Sequence, residues 1–408
     1  MVKKIVIIGN GPAAIAAIKS IREVDQESEI HLFGEESPYP YNRVRLSKGL
    51  LTTLREDEIL LQKKEWYDDN NIDLYLDSQI LSIDIDKEIV YLQDNSSVVY
   101  DRLLISTGSH NIKPEIIGIE KQGVYTLKTL QDAWDIMDEI KDNSTCLIIG
   151  GGIQGLETAW ILSQMDKEVI ISHHSQRLMR KFLDEKASKL LEKAIISNGI
   201  KILFNTEVNE IIGQDNVEGF KTINSESYIC DAIMYSIGTK PNVDFLRNTP
   251  LNISRGIIVN EKMETNIEGI FAAGDVAEYD GEVPGLWGIA INQGKVAGYN
   301  ICSKDTVYNY ITPVTTLNAF GLSLFSMGIV DESKSTYIIL EDKSDENIYN
   351  KVFINNNKII GAIVVGNIKS SPALKSAIEK KTSIENIEYS NMPFEDFIKA
   401  LKDEIKNN

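Results

Sequence analysis

The chain opens on an apolar run, Lys4-Ile5-Val6-Ile7-Ile8, cut off at once by Gly9-Asn10-Gly11-Pro12. A short continuous apolar run bounded by turn residues predicts a strand buried on both faces. An Ala- and Ile-rich helix is predicted from about Pro12 to Val24. A second strand, Glu29 to Phe33, then ends at Gly34-Glu35-Glu36. This is a strand–helix–strand opening. The same pattern returns at Thr145 to Ile149, followed by Gly150-Gly151-Gly152-Ile153-Gln154-Gly155, a helix through Ala159 and Leu162, and a strand from Glu168 to Ile171. Two such units imply two bound dinucleotides, or a duplication with one site lost.

Each repeat is followed by short alternating strands. The first set spans about Ile72 to Gly108, with Ile83, Ile85 and Ile89 to Leu92, and ends at Leu103-Leu104-Ile105-Ser106-Thr107-Gly108. The second spans Gly199 to Gly238. From about Thr312 the pattern changes. Val352 to Ile354 and Ile359 to Val365 predict a hairpin around Asn355-Asn356-Asn357, with helices near Ala373 to Lys380 and Phe394 to Ile405.

Composition narrows the function classes. A length of 408 residues predicts two to four domains. The net charge of −18 argues against nucleic-acid binding, while leaving room for a local basic patch. Three cysteines (Cys146, Cys230, Cys302) form no CxxC, and four histidines form no HExxH, so neither a disulfide framework nor a metal site is expected. A reducing, cytoplasmic location fits. Lys3 and Lys4 before an apolar run resemble a signal peptide, but the glycine turn and Lys19 and Arg22 interrupt it. No apolar run reaches the ~18 residues needed to span a bilayer, so no membrane association is expected.

Gly9-x-Gly11-x-x-Ala14, between a strand and a helix, carries dinucleotide chemistry. The first glycine permits a tight turn; the second lets backbone approach a pyrophosphate held by the helix N-terminus, with Pro12 and Ala13 in the same turn. Glu35, with Glu36 beside it, stands where an acid accepts hydrogen bonds from the adenosine ribose; as alternatives, both are solvated loop residues. Gly150-x-Gly152-x-x-Gly155, with Ile153 and Gln154, is the second fingerprint. Its expected ribose-binding acid is missing. The sequence there reads Ser172-His173-His174-Ser175-Gln176-Arg177. His173, His174, Arg177 and Arg180 suit the 2′-phosphate of NADPH, or form a polar loop on a protein that uses NADH.

Together with these two motifs, three further segments resemble the glutathione-reductase-like (pyridine nucleotide-disulfide oxidoreductase) superfamily. Thr265-Asn266-Ile267-Glu268-Gly269-Ile270-Phe271-Ala272-Ala273-Gly274-Asp275 resembles its second FAD motif. The resemblance implies that Gly274 and Asp275 meet the flavin ribityl chain. Thr107-Gly108 resembles the exit from the FAD domain, and Gly238-x-x-Pro241-Asn242 the return. The implied fold is α/β: two Rossmann-like FAD- and NAD(P)-binding domains of three-layer ββα architecture and a small α+β C-terminal domain. Their implied bounds are 1–110 with 241–312 for FAD, 111–240 for NAD(P), and 313–408.

Where disulfide reductases of the superfamily carry cysteines, this chain has Tyr41-Asn42-Arg43-Val44-Arg45-Leu46-Ser47-Lys48. That segment resembles ferredoxin and rubredoxin reductases and the nitrite-reductase flavoprotein region. The resemblance places Arg43, Ser47 and Lys48 at the FAD, Lys48 near flavin N5, Glu157 as its counter-charge, and Trp287 beside the ring. The implied activity is hydride transfer from NADH or NADPH to FAD, then electrons to a small redox protein, rubredoxin first. Such a partner is often acidic, which makes Arg43, Arg45 and Lys48 candidates for a cationic rim. Rival readings are an NADH oxidase or diaphorase acting on oxygen or quinones, and a flavin-binding redox sensor or complex subunit. The protein itself is expected as a monomer or homodimer.

Overall fold

The computed structural model describes residues 3–50, 54–140 and 145–407. The chain divides into two compact units. The first is Met1–Ile112, Lys128–Trp134 and Gly238–Tyr310; the second is Lys113–Leu127, Asp135–Ile237 and Ile311–Asn408.

The first unit is built on a five-stranded parallel sheet. Its order is Ile270–Ala272, Arg102–Ile105, Lys4–Ile8, Glu29–Phe33, Ile72–Tyr75. Ile5, Val6 and Ile7 are fully buried, as the central position of their strand requires. The helix Pro12–Arg22 stops two residues before the expected Val24. The turn after it is held by Asp25, whose Oδ1 accepts from the Glu27 and Ser28 amides at 2.9 Å each. This helix packs on Trp287–Ile301. A Cβ at Gly294 would lie 2.1 Å from the Ala13 carbonyl oxygen, and one at Gly298 2.3 Å from that of Ala17. Both glycines therefore let two backbones touch. The alternating region becomes an antiparallel sheet of Ile80–Asp84, Ile89–Leu92 and Ser97–Val99.

The second unit repeats the design. Its parallel sheet runs Lys201–Phe204, Glu168–His173, Thr145–Ile149, Ala232–Tyr235, Val124–Tyr125, with an antiparallel sheet of Val208–Ile212, Gly219–Thr222 and Ser227–Ile229. The C-terminal region adds a five-stranded antiparallel sheet: Val314–Ala319, Leu322–Gly328, Lys358–Val365, Ile348–Asn355, Tyr337–Lys343. Helices Ser371–Glu379 and Phe394–Asn407 close a core of Phe325, Val352, Val364, Leu374 and Phe397. The predicted hairpin forms with longer strands. Its turn residues Asn356 (φ 49°) and Asn357 (φ 53°) are both left-handed, the conformation a two-residue hairpin loop needs and asparagine tolerates.

Polar contacts tie this sheet to the rest of its unit. Asp184 caps the helix Glu185–Ser197 through the Ala187 amide at 3.0 Å. Its other oxygen accepts from Tyr349 at 2.6 Å and from Lys351 Nζ at 2.8 Å. Lys351 also donates to Glu332, and its side chain is 7% exposed. Trp160 meets Phe320 edge to face at 5.4 Å. Among the described residues, no helix is long and apolar enough to cross a membrane.

Candidate functional site

The first glycine turn is shaped by a crossing of chains. Gly9 has φ 92°, and a Cβ there would sit 2.3 Å from the Ser106 carbonyl oxygen. Ser106 Oγ donates to the carbonyls of Ile8 and Gly9 at 3.0 Å each. Gly11 differs: a Cβ there meets nothing within 4 Å. It is the N-cap of Pro12–Arg22, with no side-chain cap and no acid in the first turn. Orphan amides, the positive helix end and open space coincide where a pyrophosphate belongs. Ala14, in the third-glycine position, is fully buried, and Ala13 and Pro12 form the first turn. The residues present therefore fit an FAD diphosphate.

The second turn has the same geometry. A Cβ at Gly150 (φ 118°) would lie 2.1 Å from the Ser236 carbonyl oxygen, and one at Gly155 2.2 Å from that of Gly150. Gly152 again faces open space and caps a helix, Ile153–Gln164, that has no side-chain cap or first-turn acid. The Gln154 side chain is held within the unit, donating to the Leu127 carbonyl and accepting from Ser236 at 3.2 Å. Glu157 is half-buried one turn further on.

The two predicted ribose acids separate. Glu35 is exposed at the end of its strand, accepting from Gln79 at 2.9 Å. Glu36 is committed elsewhere: one oxygen accepts from Arg43 and the other from the Tyr41 hydroxyl at 2.6 Å. Of the two acids, Glu35 is the more exposed. Arg43 is likewise internal, donating also to Tyr41 and to the Lys128 carbonyl at 2.8 and 3.0 Å. These three bonds use three of its five N–H donors. The Tyr41 hydroxyl accepts a third partner, the Leu130 amide at 2.8 Å. Burial, with Glu36 beside it, pushes that hydroxyl well up from its ordinary value, against the pull of Arg43. Ser47 is buried, whereas Lys48 and Arg45 are exposed.

This network pins Lys128–Trp134 into the first unit and brings in a residue that the sequence did not signal. Lys128 Nζ donates to Ser109 Oγ at 2.9 Å, and Ser109 donates to Asp275 Oδ2 at 3.0 Å. Burial holds the Lys128 ammonium below its usual range, although Asp275 pulls the other way. Asp275 thus sits in a polar chain with one oxygen bonded, after Gly274 (φ 84°), whose amide donates to Gln293 at 2.9 Å. Thr107, Gly108 and Gly238 stand at the crossover. The Asn242 amide donates to the Gly108 carbonyl at 2.9 Å, and its side chain to the Thr107 carbonyl at 2.8 Å. Trp287 is half-buried at the first position of its uncapped helix. Replacing Arg43 by methionine leaves the Glu36 carboxylate half-buried with one donor. The expected loss is about 2 kcal/mol of stability, read as a lower denaturation midpoint.

The two histidines of the second ribose position differ in exposure. His173 is buried in the last position of its strand, with Nε2 near the Arg177 carbonyl at 3.2 Å, and a Cβ at Gly151 would lie 2.9 Å from its Nδ1. Burial lowers its proton affinity. It packs beneath the glycine turn. His174 and Arg180 are exposed, while Arg177 is half-exposed and donates to the Arg180 carbonyl at 3.2 Å.

No reactive thiol accompanies these sites. Burial pushes Cys146 and Cys230 each up to about 12, and raises Cys302 as well. A raised pKa disfavours the nucleophilic thiolate.

Comparison with known proteins agrees with the geometry. The profile of the pyridine nucleotide-disulphide oxidoreductase family matches residues 3–294, and that of the rubredoxin NAD+ reductase C-terminal domain matches residues 313–382. The chain is 32% identical to the NADH-rubredoxin oxidoreductase of Clostridium acetobutylicum over 94% of this chain and 96% of that one. The crystal structure of NADH:rubredoxin oxidoreductase from the same organism superposes with TM-score 0.79 at 30% identity, covering 98% of this chain and all of that one. It is also 32% identical over 94% of its length to the nitrite reductase [NAD(P)H] of Bacillus subtilis, of which it spans about half (48%). Two uncapped glycine-turn helices on repeated parallel sheets, and a profile match over most of the length, lead to one statement: the chain belongs to the pyridine nucleotide-disulphide oxidoreductase family.

Proposed function

We propose that the protein is an FAD-dependent NAD(P)H oxidoreductase that passes electrons to a small redox protein, rubredoxin being the first choice. The observation that carries this reading is the pair of open glycine cradles, at Gly11 and Gly152, in a chain whose three thiols are all buried or half-buried and held protonated. Bound FAD supplies the ability to accept a hydride from a nicotinamide and to release electrons singly. The protein's own groups bind and orient. The helix Pro12–Arg22 holds one diphosphate, Glu35 one ribose, and Asp275 the ribityl chain. The helix Ile153–Gln164 holds the second diphosphate. By resemblance, Lys48 would be the cation of the flavin site, and Glu157 the acid of the nicotinamide site. The uncapped amides opening Trp287–Ile301 would favour negative charge on a bound flavin.

Stopped-flow mixing with NADH or NADPH, followed by rubredoxin, tests the reading. Flavin absorbance is expected to bleach within seconds and to return on adding oxidised rubredoxin. A flavin that stays oxidised sinks the enzyme reading. One that bleaches but is reoxidised only by oxygen or a quinone favours the diaphorase reading. Lys48→Met is expected to slow bleaching at least tenfold while flavin content holds.

With no acid at the second ribose position and His174 and Arg180 exposed, NADPH is expected to serve within about tenfold of NADH in kcat/KM. A preference for NADH above a hundredfold would sink that expectation.

A further inference from the structure

An acidic partner needs a cationic landing place on a chain of net charge −18. In the segment first expected to supply it, Arg43 is bound to Glu36, Tyr41 and the Lys128 carbonyl, which leaves Arg45 and Lys48 exposed. The first unit offers another place. A cleft of about 700 Å³ lies between the return crossover and the loop before Trp287, and Lys240, Arg247 and Arg255 line it together with Asp244, Asp275 and Gly285.

Each cation stands on separately anchored backbone. Lys240 is the middle residue of the strand Thr239–Pro241, paired antiparallel with Ser109–Asn111 so that it lies opposite His110. Arg247 follows the short turn Asp244–Leu246 and bonds Asp244 at 2.8 Å. Arg255 sits in a turn whose amides, those of Arg255 and Gly256, donate to the buried Glu278 at 2.7 and 3.0 Å. All three side chains are exposed, as is His110. Two of them act on one acid: the hydrogen bond from Arg247, then the charges of Arg247 and Lys240, hold the Asp244 carboxyl below its usual range. The cleft also reaches Asp275, the residue assigned to the flavin ribityl chain, and Gly285, two residues before Trp287. Apolar wall residues Ile112 and Val283 supply contact area between the charges.

We propose that the face carrying Lys240, Arg247 and Arg255 is the docking surface for the small acidic redox protein that receives the electrons. The proposal rests on the acceptor reading above and adds the location. Charge complementarity at such a face acts first on encounter, so its signature is salt dependence and KM rather than chemistry.

The test compares wild-type holoenzyme with the Lys240→Glu/Arg255→Glu variant and with Lys193→Glu, an exposed lysine of the second unit, as the charge control. Three readouts are taken: flavin bleaching by NADH without acceptor, turnover with the neutral quinone menadione, and turnover with an acidic rubredoxin at rising ionic strength. In the double variant, KM for rubredoxin is expected to rise about tenfold or more. Its kcat/KM is expected to lose most of the wild-type salt dependence. Bleaching and menadione turnover are expected to stay within twofold in every form. Unchanged rubredoxin kinetics in the double variant, or an equal loss in Lys193→Glu, overturns the docking surface and leaves the acceptor reading intact. A wild-type enzyme that bleaches and reduces menadione but not rubredoxin overturns the acceptor reading, and the docking surface with it.

Discussion

Gly11→Val is expected to yield a folded protein that purifies without flavin colour. The glycine has φ −75° and ψ −170°, extended backbone open to any residue, and its Cβ direction is empty to 4 Å. Valine therefore adds no strain and meets no protein atom. Its isopropyl group instead occupies the space over the orphan amides of Pro12–Arg22, where the diphosphate must come. The helix-end interaction and its hydrogen bonds to an anion are lost together, which is expected to weaken FAD binding at least a hundredfold. Flavin-to-protein absorbance ratio and far-UV circular dichroism read the two halves of the result. Gly9→Val is a contrasting case: with φ 92° and a Cβ 2.3 Å from Ser106 backbone, it should unfold the turn itself. Gly152→Val should keep its colour and lose bleaching by NADH. If Gly11→Val retains stoichiometric flavin, the cradle has been misplaced.

Lys351→Met is expected to destabilise the protein by about 3 kcal/mol near neutral pH, because it leaves the half-buried Asp184 without its cation. The effect has a definite pH window. Burial alone would raise the Asp184 carboxyl. Hydrogen bonds from Lys351, Tyr349 and the Ala187 amide outweigh it and hold the folded value below the ordinary 3.8. A carboxyl depressed on folding contributes stability above its unfolded value and loses it as pH falls through the folded one. Lys351 is shifted the other way: burial lowers it, but Asp184 and Glu332 raise it above 10.5 overall, so its share fades only as pH rises past that. The gap between wild type and variant should thus be widest between about pH 5 and 9 and shrink below about pH 4. Urea midpoints at pH 7 and 3.5 measure it. An equal gap at both would show that lost packing of the lysine stem, not charge, is responsible.

Much of the architecture is written locally. A run such as Ile5 to Ile8 followed by Gly9-x-Gly11 makes a strand, a turn and a helix from contacts within a few residues, so both dinucleotide repeats and the Asn356-Asn357 hairpin could be read from the chain. Helix ends were less legible, since Pro12–Arg22 stops early for a turn that Asp25 builds through its side chain. The strand through the second ribose position ran two residues further than expected, to His173, and carried that histidine into the interior.

What sequence alone determined was therefore the repeated cofactor scaffold, the missing thiol pair beside the flavin segment, and the family. Only the tertiary structure decided which charged groups remain available. Glu36 and Arg43 look like ligands in the chain and are partners of each other in the fold. Lys128 looks like nothing in particular and joins Asp275 through Ser109, a residue 166 positions from that aspartate. The reason is physical. A glycine turn is specified by its own backbone, whereas a buried charge takes whichever partner the fold brings within reach, and that choice leaves no spacing to read.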